Sequence, residues 1–126
     1  FQAQLTTSYS TMSPKQIIQF DNITTNIGNA YDENFGRFKA PFAGLYEFVL
    51  TATSYSGQMV NLEMVKNGAM LCRAHAASSN YETGVCVSMV HLDVDDDVWV
   101  RHYNGQGSYL YSTYYPTFAG HLIKAD

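Results

Sequence analysis

Hydrophobic positions in this chain alternate with polar ones far more often than they recur at helical spacing. Residues 45–53 place Tyr46, Phe48, Leu50 and Ala52 on one face and Leu45, Glu47, Val49, Thr51 and Thr53 on the other, the pattern of a strand with one core face. At the start, Phe1, Ala3 and Leu5 alternate with Gln2, Gln4 and Thr6, predicting a strand over residues 1–9; Ser13-Pro14 ends it and residues 16–20 begin another extended piece. Arg37 and Lys39 flank Phe38 until Pro41, which has no N–H to give a ladder. Val60, Leu62 and Met64 then alternate with Asn61, Glu63 and Val65, and Asn67-Gly68 supplies the positive φ values of a tight hairpin turn. Residues 69–77 and 84–94 read as two strands joined at residues 78–81, residues 98–103 as another, and residues 118–123 as the closing one. About ten short strands without a helical segment predict an all-β, two-sheet jelly roll.

The length of 126 residues makes residues 1–126 a single domain, long enough to bury about two-thirds of its unfolded surface. Ten Tyr, seven Phe and only 14% charged residues also favour strands. A net charge of −4 with seven scattered Lys and Arg argues against a nucleic-acid partner and against an anionic membrane surface. No apolar run reaches the eighteen or so residues of a membrane helix, and residues 1–20 lack the basic flank and apolar centre of a signal peptide. The expectation is a soluble chain without membrane insertion, from which any secretion signal has been removed. No Gly-X-Y tract is present.

Phe20, Asn26, Tyr31, Phe38, Gly44, Tyr46 and Phe48 fall at spacings that resemble the signature of the globular domain of complement C1q. The signature's last position, usually aromatic, is Leu50 here. Asp96-x-Val98-Trp99 is similar to the family's Gly-Asp-x-Val-Trp turn, and Phe118-x-Gly120-x-Leu122 to its terminal strand. Departures are Asp95 for the turn glycine, and Ala119 and His121; Asp tolerates left-handed backbone, so the turn is expected to survive. The resemblance implies the jelly roll of the C1q and tumour-necrosis-factor superfamily, with ten strands, a homotrimer packed about a three-fold axis, and secretion to the extracellular space. Invertebrate relatives, bivalve ones especially, imply a lectin-like pattern-recognition protein of innate immunity that binds carbohydrate or a microbial surface and is not an enzyme. Two alternatives are an extracellular matrix or body-fluid protein that carries calcium, and a receptor ligand like tumour necrosis factor.

If residues 72–86 form a hairpin centred on Ser79, Cys72 faces Cys86 on a neighbouring strand and a disulfide can form; the alternative is two buried thiols in a reducing compartment. The family's extracellular setting favours the bridge. Asp95, Asp96 and Asp97, with Asp93 nearby, form either a solvated acidic turn or an oxygen-rich calcium site, the one cofactor the sequence suggests. Asn22-Ile23-Thr24 is a glycosylation sequon at Asn22. His75, His91, His102 and His121 have no triad or metal spacing, and no G-x-S-x-G elbow occurs. Residues 101–115 mix aromatic rings with amides and hydroxyls, which suits a sugar or a protein epitope; the candidate ligand contacts are Arg101, His102, Asn104, Tyr109, Tyr111 and Tyr114. The competing reading packs Tyr109, Tyr111 and Tyr115 inside the sandwich or at the subunit interface.

Overall fold

Tyr46, Phe48, Leu50 and Ala52 do share one buried face, and the strand that carries them lies inside a five-stranded antiparallel sheet. In the computed structural model, which describes all 126 residues, that first sheet runs β2 (Asn22–Thr25), β1 (Gln2–Gln4), β10 (Thr117–Ala125), β5 (Gly44–Thr53) and β8 (Thr83–Leu92). The second sheet runs β3 (Tyr31–Asp32), β4 (Arg37–Lys39), β9 (Asp97–His102), β6 (Val60–Lys66) and β7 (Ala69–Ala76). One 3-10 turn, Ile27–Asn29, interrupts the strands. The ten-strand expectation therefore holds, in two facing layers.

The seven matching signature residues build the core and its ties. Phe20, Tyr31, Phe38, Tyr46 and Phe48 are buried, and Phe38 packs edge-on against both Tyr46 and Phe48 at 5.6 and 5.3 Å between ring centres. The polar tips are satisfied: Tyr31 Oη donates to the Phe20 carbonyl at 2.9 Å, and Tyr46 Oη to that of Phe42 at 2.7 Å. Burial pushes the Tyr31 phenol well above its ordinary range, so it stays a donor. Asn26 clamps Tyr31 with both ends of its amide, Nδ2 donating to the carbonyl and Oδ1 accepting from the N–H. At Gly44 a Cβ would sit 2.4 Å from the Lys124 carbonyl oxygen, so this position must lack a side chain for β5 and β10 to run together to their ends.

The predicted turns form as expected at Asn67 and Gly68, with φ of 50° and 90°, and at Asp95, which takes the left-handed φ of 71° in place of glycine. The opening strand is shorter than its alternation suggests. After Gln4 the chain leaves the sheet, and Tyr9 returns only as an isolated bridge to Leu110. Residues 16–20 likewise contribute one bridge, Ile17 to Arg101.

One pairing differs outright. Residues 69–76 and 83–92 are not a hairpin within one sheet: β7 pairs with β6, and β8 pairs with β5. Each is the last strand of its own sheet, on the same side of the sandwich, and the connection between them crosses from one layer to the other. Cys72 and Cys86 are nevertheless joined, with 5.9 Å between Cα atoms, so the disulfide ties two sheets rather than two ladder neighbours. Gly84 permits the approach, since a Cβ there would meet the His75 backbone.

Candidate functional site

Three loops meet beyond one end of the sandwich. The β5–β6 turn brings Tyr55, the β7–β8 crossing brings Tyr81, and the long β9–β10 loop brings Tyr109, Tyr111 and Tyr115. Backbone bonds knit the loops together, from Ser54 N–H to the Glu82 carbonyl, Gly57 N–H to Ser78 and Tyr111 N–H to Thr53. The rings then form one contiguous cluster. Tyr55 lies 5.5 Å from Tyr81, 5.2 Å from Tyr109 and 5.5 Å from Tyr111, while Tyr111 lies 5.2 Å from Tyr81 and 6.4 Å from Tyr115. Tyr81 is 45% exposed and Tyr115 59%, so the cluster is a surface and not a buried plug. Crowding by the neighbouring rings pushes the Tyr81 phenol above its usual value, with Tyr55 reinforcing the effect. The cluster therefore offers apolar ring faces with hydroxyl tips, suited to stacking and hydrogen bonding.

Beneath this surface the β9–β10 loop is held by Asn61. Its N–H donates to the Gly107 carbonyl, and its Nδ2 to that of Gln106 at 3.2 Å. A Cβ on Gly107 would fall 2.6 Å from Asn61 Nδ2, and Gly107 adopts a φ of 77° that side chains resist.

The candidate contacts read from residues 101–115 separate. Tyr109 and Tyr111 join the cluster. Tyr114 is exposed but stands outside it; its backbone N–H is bound to the Leu5 carbonyl, and a φ of 63° marks the turn there. Asn104 is exposed at the start of the loop. Arg101 lies on the outer face of the second sheet, its Nε donating to Glu63 Oε1 at 2.7 Å and its Nη2 to the Gly68 carbonyl. His102 is a correction: it is fully buried, with Nδ1 3.1 Å from the Ser13 carbonyl oxygen and Nε2 3.3 Å from that of Gln106. The two-residue period that turns Val98 and Val100 inward turns His102 inward as well, so it braces the loop from below. Tyr55, Tyr81 and Tyr115 were not among the sequence candidates. Their signal was a tyrosine in each of three turns that β connectivity sends to the same end.

The acidic turn does not gather its carboxylates. Asp96 accepts from Asn67 Nδ2 at 2.9 Å and from the Asp93 N–H at 2.8 Å, with Lys66 Nζ 3.7 Å away, while Asp97 pairs with Lys39 at 3.2 Å. The Asn67 bond first, then the Asp93 N–H and Lys66, holds the Asp96 carboxyl below its ordinary range. No three His, Cys, Asp or Glu side chains converge in this chain, those of Asp95, Asp96 and Asp97 included. Asn22 lies on β2, the edge strand of the first sheet. The outer face of that sheet is apolar at its other edge, where Val85, Val87 and Met89 are 57%, 52% and 65% exposed on β8. No helix is long and apolar enough to cross a membrane.

Two five-stranded layers closed over an aromatic core, with an aromatic loop surface at one end, define a jelly-roll β-sandwich domain. The family model described as C1q domain matches residues 1–123, and the chain belongs to that family. It is similar to Caprin-2 of Danio rerio, 29% identical over 129 residues that take in 100% of this chain and 14% of that protein. It is also similar to Complement C1q tumor necrosis factor-related protein 6 of Rattus norvegicus, 35% identical over 113 residues, 85% of this chain and 43% of that protein. The chain thus spans less than half the length of these relatives. Among solved structures, the globular domain of zebrafish complement 1qA protein shares the fold with a TM-score of 0.80, covering 100% of this chain and 98% of that one at 18% identity.

Proposed function

We propose that this C1q domain is a secreted, non-enzymatic recognition module that binds carbohydrate on microbial or cell surfaces through the tyrosine cluster, as a homotrimer. The observation that carries the reading is the contact of five tyrosines from three separate loops, left substantially open to solvent. Folding gains little from leaving such rings exposed, whereas a sugar ring gains apolar contact from the ring faces and hydrogen bonds from the hydroxyl tips. The apolar face of β8 supports self-association, and C1q domains generally trimerise. Three copies of one weak site raise effective concentration at a repetitive surface.

The test is a glycan array probed with wild-type protein and with Y81A/Y115A, in calcium and in chelator. Wild type should bind defined neutral glycans, and the variant should lose about tenfold in affinity, equivalent to about 1.4 kcal/mol, without a change in melting temperature. Absence of any hit above controls, or equal binding by the variant, would refute the reading. Loss of wild-type binding in chelator alone would restore calcium as a cofactor.

A further inference from the structure

The outer face of the second sheet has a different chemistry. Every arginine of the chain, Arg37, Arg73 and Arg101, lies there, around the outward side chains of β9. Arg37 pairs across β4–β9 with Trp99 and lays its guanidinium 4.4 Å from the ring centre. Arg73 on β7 lies 3.7 Å over the ring of Tyr103. Between them Arg101 is bound to Glu63, which faces Arg101 on one side and Arg73 on the other. From Trp99 to Tyr103 the strand advances roughly 13 Å, so two ring-backed guanidinia flank a third along one line.

Carboxylates answer these cations incompletely. Lys39 is paired with Asp97 and Lys66 with Asp96, and Glu63 is taken by Arg101; Arg37 and Arg73 have no carboxylate partner. Two unanswered guanidinia thus share one face of a chain whose net charge is −4. Packing over a ring restrains each guanidinium, and neither donates a side-chain hydrogen bond within the chain, so its N–H groups are left for a planar or tetrahedral oxyanion.

We propose that this face is a second binding surface, for an acidic polysaccharide bearing carboxylate or sulfate groups. Such a polymer joins an apolar C–H face to an anionic group on each sugar and repeats the pair at fixed intervals. A rigid sheet presenting aromatic rings and guanidinia in register matches that repeat, whereas an acidic peptide must first be ordered, at an entropic cost, to follow it. The surface is independent of the tyrosine cluster, and either can fail alone.

Trp99 is the chain's one tryptophan and lies under Arg37, so its fluorescence reports occupancy. Wild-type protein is titrated at low salt with polygalacturonate, dextran sulfate, neutral dextran and polyglutamate. A saturable change with either acidic polysaccharide, absent with neutral dextran and reversed by added salt, is expected, and the polymer that elicits it assigns the oxyanion. R37Q/R73Q should lose about tenfold in affinity, as expected when two partly exposed charge-assisted contacts are removed. R37K/R73K should recover part of it, and Y81A/Y115A should titrate as wild type. No response to either acidic polysaccharide, an unchanged R37Q/R73Q titration, tighter binding of polyglutamate, or an equal loss in Y81A/Y115A would overturn the proposal. Should R37Q/R73Q not fold, full wild-type affinity in R37K/R73K would overturn the role of the fixed forks.

Discussion

Replacing Gly84 by alanine tests how the two sheets are closed along the side where β7 and β8 meet. The added Cβ would lie 2.1 Å from the His75 carbonyl oxygen and 2.5 Å from its carbon, both backbone atoms that no rotamer change can move. Carbon–oxygen contacts in proteins are about 3.3 Å or longer, so the strands must part by about 1 Å. The neighbouring Cys72–Cys86 bridge resists that movement. Overpacking of this kind costs about 1–3 kcal/mol, and the backbone obstacle with its tether places G84A near the top of the range. Gly84 does not use positive φ, so alanine regains about 0.4–1 kcal/mol by restricting the unfolded chain, leaving a net loss of about 2 kcal/mol. With an unfolding entropy of about 2.1 cal/mol/K per residue, each kcal/mol corresponds to about 4 °C in a chain this long, and G84A should melt about 8 °C lower. The assay is calorimetry at fixed protein concentration, because the proposed trimerisation would also raise the midpoint. The bridge, closing a sequence separation of 14, is itself worth about 3 kcal/mol in the chain-entropy model. In C72S/C86S the strands separate more easily, so G84A should cost only about 1 kcal/mol there. A G84A midpoint within about 2 °C of wild type, or strictly additive losses in the cycle, would refute this account of the closure.

Three further outcomes follow from particular contacts. E63A leaves Arg101, whose side chain is only 15% exposed, without its carboxylate and should cost about 2–3 kcal/mol in denaturant unfolding, with E63Q recovering part of it. Asp96 is held below its ordinary value of 3.8 in the folded chain, so the unfolded chain takes up its proton first as pH falls; its stabilisation is complete above about pH 4 and shrinks below it. Melting from pH 5 to pH 3 should therefore fall more steeply in wild type than in D96N, and equal slopes would contradict the assignment. V87E/M89E places carboxylates on the exposed apolar face of β8 and should convert the proposed trimer to monomer by light scattering without altering far-UV circular dichroism, whereas an unchanged trimer mass would refute β8 as its interface.

What the sequence discloses depends on how far apart the interacting residues lie and on what decides their meeting. Alternation in residues 45–53 and the Asn67-Gly68 turn are local, and both appear as read except that Thr53, on the face opposite the core, is buried as well. The core aromatics were legible because fixed gaps between Phe20 and Phe48 mark residues that share one packing unit. The sheet membership of β7 and β8 was not, since a short connection between two strands is compatible with a hairpin or with a crossing between layers. What decides it here is that β8 completes a ladder with β5 over its whole length, from Gly44–Leu92 to Thr53–Thr83. His102 shows the opposite failure. Its inward direction was available from the parity of Val98 and Val100, yet the polar composition of the following loop suggested a ligand contact. The tyrosine cluster and the arginine track arise from residues tens of positions apart, brought together at a loop end or across three ladders. Parity along each strand tells which residues face outward, but only the strand order β4-β9-β6-β7 sets Arg37, Arg101 and Arg73 along one surface. A family signature that consists of core positions predicts that strand order, and so it predicts where outward residues will meet while leaving their identities free. Recognition can therefore change along these outer surfaces without disturbing the packing that defines the domain.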